Sequence, residues 1–100
     1  MSDIQTEPVT LDTPIVRGET TVSQVLVRKP GAGELKGVSL INLLQMDVNA
    51  LITVLPRVTV PTLLQHEVAA LDPADLMQLG TEVVGFLMTR STRSLASQSL

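Results

Sequence analysis

The chain contains no cysteine, tryptophan or tyrosine, and only one phenylalanine and one histidine. Without cysteine there are no disulfides, no thiolate metal sites and no cysteine nucleophile, which agrees with a reducing compartment. With so few rings there is no stacking platform for single-stranded nucleic acid. Seven basic side chains stand against ten acidic ones, for a net charge of −3. The basic residues are scattered apart from Arg28, Lys29 and Lys36, so a nucleic-acid partner is not expected. No apolar run reaches the ~18 residues that a bilayer requires, so no membrane partner is expected either. The opening MSDIQTEPVTLDTP is acidic and polar, unlike a secretory signal. A soluble intracellular protein is the expectation.

Catalytic arrangements are equally sparse. His66-Glu67 opens like a zinc-protease signature, but the second histidine belongs at position 70, where Ala70 stands. Gly31 and Gly33 would need a third glycine at position 36 for a dinucleotide loop; Lys36 is there, and Gly37 arrives one residue late. No Gly-Lys-Ser/Thr follows for a phosphate loop. None of the seven serines lies in a Gly-x-Ser-x-Gly elbow. Asp72 and Asp75 suit helix capping better than acid–base work. The sequence therefore predicts no catalytic residue, no metal ligand and no cofactor, and the protein is not expected to be an enzyme.

What remains is an aliphatic chain of one-domain size. The predicted fold class is α+β, with a small N-terminal β-hairpin followed by a bundle of three to four short helices. Residues 1–8 read as a flexible leader, 9–89 as a single domain, and 90–100 as a disordered tail. Within the domain, 9–28 form the hairpin, turning at Arg17-Gly18-Glu19, with Pro14 marking an edge strand. KPGAGELKG reads as a flexible joint, and 38–89 as helical.

The segment SLINLLQMDVNALITVL admits two readings. One helix over 39–55 would set Leu40, Leu44, Val48, Leu51 and Leu55 opposite a face of Asn42, Gln45, Asn49 and Thr53. It would also leave Asp47 in the apolar stripe. A break near Met46 is favoured instead, because Asp47 then caps a shorter helix over 48–55. Pro56 is expected to stop this helix, and PRVTVP to be a plain connector. Thr62 and Gln65 resemble a capping box for a short helix ending near Ala70. Asp72-Pro73-Ala74-Asp75 predicts a helix from 73 to about 89.

Between residues 37 and 66 the only charged or titratable side chains are Asp47, Arg57 and His66. That segment and the last helix hold more aliphatic positions than one small core readily buries. Mutual packing accounts for them equally well as a surface that receives an apolar segment of another protein, or of a second copy. Met46, Met77 and Met88 would make such a surface adaptable.

Particular segments then resemble a known family. Arg28-Lys29-Pro30-Gly31-Ala32-Gly33-Glu34-Leu35 is similar to the R-x-P-x-x-G-[DE]-L stretch of tail assembly chaperones from Mu-like and related contractile-tailed phages and prophages. The start of the last helix, Asp72 to Leu76, and Gly85-Phe86-Leu87 near its end also fit that E-type family. The resemblance spans roughly residues 9–89. It implies a factor of the host bacterial cytoplasm, absent from the mature virion, that binds the tape measure protein and keeps it soluble. It further implies the tail tube protein as a second partner and allows a homo-oligomer. Many members are made in a short and a longer, frameshifted form, and this chain would correspond to the short one. The residues expected to contact a client are Leu44, Leu51, Leu55, Leu76, Val83 and Phe86, each equally able to be core. The competing expectation is a structural minor tail protein or a self-associating adaptor.

Overall fold

The computed structural model describes residues 7–88. The leader to residue 6 and the tail from 89 lie outside the described residues. Strands β1 (Val9–Arg17) and β2 (Thr20–Val27) form the antiparallel hairpin. Their two-residue turn has Gly18 at φ 59° and no positive φ at Glu19, the pattern that matches the right-handed twist of paired strands. β1 carries a wide bulge: Thr10 faces Gln24 and Ile15 faces Val22, so Leu11–Pro14 oppose Ser23 alone. Pro14 has no N–H to donate, and the bulge is where a strand tolerates it.

Four helices and a third strand follow: α1 (Leu40–Leu44), α2 (Val48–Val58), β3 (Thr59–Val60), α3 (Gln65–Ala69) and α4 (Pro73–Leu87). β3 pairs antiparallel with β2, Val27 facing Thr59, and gives the sheet order β1-β2-β3. The mixed α+β architecture agrees with the sequence reading. The core is wholly aliphatic, with Val25, Val27, Leu43, Leu51, Val54, Leu55, Val58, Leu63, Val68, Leu79 and Val83 buried together.

Asp47 does cap a separate helix: its carboxylate accepts from the Ala50 N–H at 3.0 Å. α2, however, does not stop at Pro56 but runs on to Val58. Proline removes one N–H and crowds the preceding turn, yet the last carbonyls of this helix find other donors. Thr59 Oγ1 donates to Leu55 O at 2.7 Å, Arg28 Nη2 to Arg57 O at 2.7 Å, and Arg28 N to Val58 O at 2.9 Å. The connector PRVTVP is thus the end of α2 plus β3, whose Thr59 hydroxyl also accepts from Leu63 N.

KPGAGELKG is likewise more than a joint. Ala32–Leu35 form a 3-10 turn. The Arg28 guanidinium forms a two-pronged pair with the Glu34 carboxylate, which also accepts from Gly31 N at 2.9 Å. Arg57 Nη1 donates to Glu34 O and Lys36 O at 2.8 and 3.0 Å. The Arg28…Glu34 motif is therefore a clasp that joins β2, this turn and the end of α2.

α3 starts at Gln65 rather than being capped by Thr62. The Leu64 N–H, one of the donors left free at a helix start, is taken by Glu67 Oε1 at 2.9 Å. α4 begins as its sequence predicts, Asp72 accepting from Ala74 N at 2.8 Å with Pro73 at the first helical position.

Candidate protein-binding surface

The break between α1 and α2 decides which apolar residues remain outside. Met46 has φ 62°, a left-handed conformation in the three-residue break between α1 and α2. The sulfur end of its side chain lies over Gly80 of α4: a Cβ there would stand 2.8 Å from Met46 Cε and 2.9 Å from Leu51 Cδ1. Ser39 caps α1 by accepting from Asn42 N at 3.2 Å. The stripe expected of one continuous helix is split as a result. Leu51 and Leu55 are buried, whereas Leu40, Ile41, Leu44 and Val48 are 53%, 67%, 49% and 52% exposed. Leu43 takes the inward place on α1 and is completely buried.

Leu40, Ile41 and Leu44, at spacings of one, four and three, share the outer side of α1. Val48 follows at the first position of α2. Fully burying an exposed side chain of this size contributes on the order of 1.5–3 kcal/mol, and these four, about half exposed, forgo part of that. Neighbouring Asn42, Gln45 and Asn49 are uncharged. Asp47, the one carboxylate in this stretch, is held by its capping bond.

The six residues expected at a client contact fall into three settings. Leu51, Leu55 and Val83 are fully buried and hold the core. Leu76 and Phe86 pack against that core while remaining partly exposed. Leu44 alone stands free. Leu40, Ile41 and Val48 are the other exposed aliphatic residues of α1 and the start of α2; Leu40 and Val48 lay in the stripe read from sequence, but none of the three was named there as a client contact. The signal for them was the Asp47 cap itself, because a helix that restarts there need not keep one apolar stripe on both sides of the break.

Elsewhere the charged groups serve the frame. Arg17 Nε and Nη2 each donate to the Glu67 carboxylate at 2.7 Å, and Nη2 also reaches Thr62 O at 2.7 Å. The Arg17 pair, then the Leu64 N–H, hold the Glu67 carboxyl at about 2, below its ordinary 4.5. Arg28, then the Gly31 N–H, do the same for Glu34, also to about 2. The buried Asp75 carboxylate accepts from Asp12 N at 2.7 Å and Thr13 N at 3.0 Å, so α4 supplies the partners that the β1 bulge lacks. His66 lies exposed on α3, beside Glu67. Among the described residues no three His, Cys, Asp or Glu side chains gather as metal ligands. No helix among them is long and apolar enough to cross a membrane.

The sequence model for "Phage tail assembly chaperone proteins, E, or 41 or 14" matches residues 8–88, which is nearly the whole described fold. The chain belongs to this phage tail assembly chaperone family. Among curated proteins it is 51% identical over 85 residues to tail assembly protein E of Escherichia phage P2, covering 85% of this chain and 93% of that protein. It is 52% identical over 80 residues to tail assembly protein E′ of the same phage, covering 80% of this chain and 56% of E′. The chain thus spans little more than half the length of the second relative. No solved structure matches it. Membership places the chain in phage tail assembly, a non-enzymatic role with tail proteins as the partners it suggests.

Proposed function

We propose that this protein is a chaperone that binds the tape measure protein, keeps it soluble, and promotes assembly of the tail tube around it. In this reading it acts in the host bacterial cytoplasm and leaves before the virion matures. The observation that carries it is the exposed patch of Leu40, Ile41, Leu44 and Val48 on a domain whose core is already filled. A folded protein of this size gains nothing for its own stability from holding four aliphatic side chains in water. A client with apolar seams gains their burial on binding. Membership in a tail assembly chaperone family supplies the context. Of the six client positions named from sequence, Leu44 is the one proposed to touch the client directly. In the same proposal Leu76 and Phe86, partly exposed, contribute at the edge of the contact, and Leu51, Leu55 and Val83 act through the fold.

Co-expression with the cognate tape measure protein tests this. The client is expected in the soluble fraction only when the wild-type chain is present, and to return to the pellet with Ile41→Asp/Leu44→Asp. Unchanged client solubility with and without this chain would sink the reading. Recovery of the protein from purified virions would instead favour a structural minor tail protein.

A further inference from the structure

The described residues hold five Lys or Arg side chains: Arg17, Arg28, Lys29, Lys36 and Arg57. Arg17 is paired with Glu67. The other four gather around the 3-10 turn, because Arg28 pairs with Glu34 and donates to Arg57 O, while Arg57 donates to Glu34 O and Lys36 O. Lys29 adjoins Arg28 in the chain. Among the described residues Glu34 is the one carboxylate ion-paired with any of these four cations, and neither Lys29, Lys36 nor Arg57 has an ion-pair partner there. All four are exposed. A net cationic corner thus sits on a chain whose overall charge is −3.

Through Lys36, this corner leads along the chain into the apolar patch. Leu40 follows Lys36 by four residues, which limits their Cα separation to roughly 14 Å even in extended chain. That lies within the length of three helical turns, about 16 Å. A bound helix of that length therefore reaches from Leu40 to Lys36, the member of the corner nearest the patch along the chain. We infer that the patch of Leu40, Ile41, Leu44 and Val48 and the cationic corner at Lys29, Lys36 and Arg57 form one composite surface, which takes an amphipathic helix carrying acidic side chains beside its apolar face.

Charge complementarity selects this occupant over a second copy of the chain. From Leu35 to His66 the only carboxylate is Asp47, and it is engaged by the Ala50 N–H. A copy docked through the same patch would bring aliphatic residues but no free acid to meet the lysines. An acidic amphipathic helix brings both, and oppositely charged rims raise association rate and selectivity more than they raise intrinsic burial. The inference rests on the preceding client reading for the use of the surface, whereas its chemistry is testable without the client.

Two synthetic helical peptides with identical leucine faces, one bearing Glu and the other Lys on the polar side, make the test. Fluorescence anisotropy against the full chain is expected to show the Glu peptide binding roughly tenfold tighter at low ionic strength. That preference should shrink in 0.5 M salt, where screening shortens to a few ångströms. Lys29→Glu/Lys36→Glu should reverse the preference, and Ile41→Asp/Leu44→Asp should remove binding of both peptides. Circular dichroism matching wild type confirms that both variants fold. Equal binding of the two peptides at low salt overturns the inference. So does a wild-type chain that dimerises in sedimentation runs, is made monomeric by Ile41→Asp/Leu44→Asp, and ignores both peptides. If Lys29→Glu/Lys36→Glu keeps the tape measure protein as soluble as wild type does, while Ile41→Asp/Leu44→Asp does not, the acidic-helix assignment fails and the client reading stands.

Discussion

Glu67 receives three N–H donors, two from distant Arg17 of β1 and one from nearby Leu64 at the head of α3. Its carboxyl is held at about 2 against an ordinary 4.5, chiefly by Arg17 and next by the Leu64 N–H. A carboxyl with a depressed folded value stabilises the fold above its unfolded value and loses that contribution as pH falls through the folded one. The window here runs from pH 4.5 down to about 2. Glu34, held by Arg28, titrates over the same window. Urea melts between pH 5 and 2 should therefore show a steep acid loss for wild type. Glu67→Gln should flatten part of that slope, and Glu67→Gln/Glu34→Gln most of it. Asp75 works differently: both of its hydrogen bonds go to main-chain donors of the β1 bulge. Asp75→Ala leaves those N–H groups without partners, at about 1–3 kcal/mol for each one kept from water. A loss of about 3 kcal/mol in chemical denaturation is expected, with β1 amides the first to gain hydrogen exchange. The sequence placed Asp75 correctly at the start of a helix, but its partners lie more than sixty residues away and left no local trace.

At the scale of elements, α4 holds two glycines that composition treats alike and packing separates. Gly80 faces Met46 and Leu51, with 2.8–2.9 Å left for a Cβ, whereas a Cβ on Gly85 meets nothing within 4 Å. Alanine in a helix interior is better than glycine by about 1 kcal/mol. At position 85 that gain should appear nearly intact, as a rise of roughly 0.5–1 kcal/mol. At position 80 it is opposed by overpacking, commonly about 1–3 kcal/mol. Both close atoms belong to side chains, but Leu51 is fully buried, so its shift must be taken up within the core. Gly80→Ala should therefore destabilise by about 1 kcal/mol, opposite in sign to Gly85→Ala, in the same thermal melt. The α1–α2 break shows the same division. Its Asp47 cap was legible, since a carboxylate inside an apolar stripe calls for free N–H groups. The left-handed Met46 and the outward turn of Leu40 and Leu44 were not, because they depend on α4 standing beneath the break.

For the whole molecule, the core and the patch should respond oppositely to substitution. Leu55→Ala removes a fully buried side chain and should cost about 2–5 kcal/mol of stability. Any loss of client handling would then follow from the loss of fold. Ile41→Asp/Leu44→Asp alters exposed positions, where substitutions usually stay within about 0.5 kcal/mol of wild type each. Its effect is expected on client solubility alone, read by the co-expression assay beside a thermal melt. Unequal outcomes of this pair separate the surface from its support.

The amino-acid sequence by itself determined the aliphatic core, the hairpin with its Gly18 turn, the caps at Asp47 and Asp72, and the family to which the chain belongs. Each rests on residues close together in the chain: a turn glycine, a capping carboxylate, a short motif. Tertiary structure decided the rest. It turned the Arg28…Glu34 motif into a clasp on the end of α2, carried that helix past Pro56 by satisfying its last carbonyls, and added β3 to the sheet. It also divided one apparent apolar stripe into core at Leu51 and Leu55 and surface at Leu40, Leu44 and Val48. Side-chain periodicity reports which residues share a face of a helix. Which way that face points is fixed only when neighbouring helices and strands compete for it.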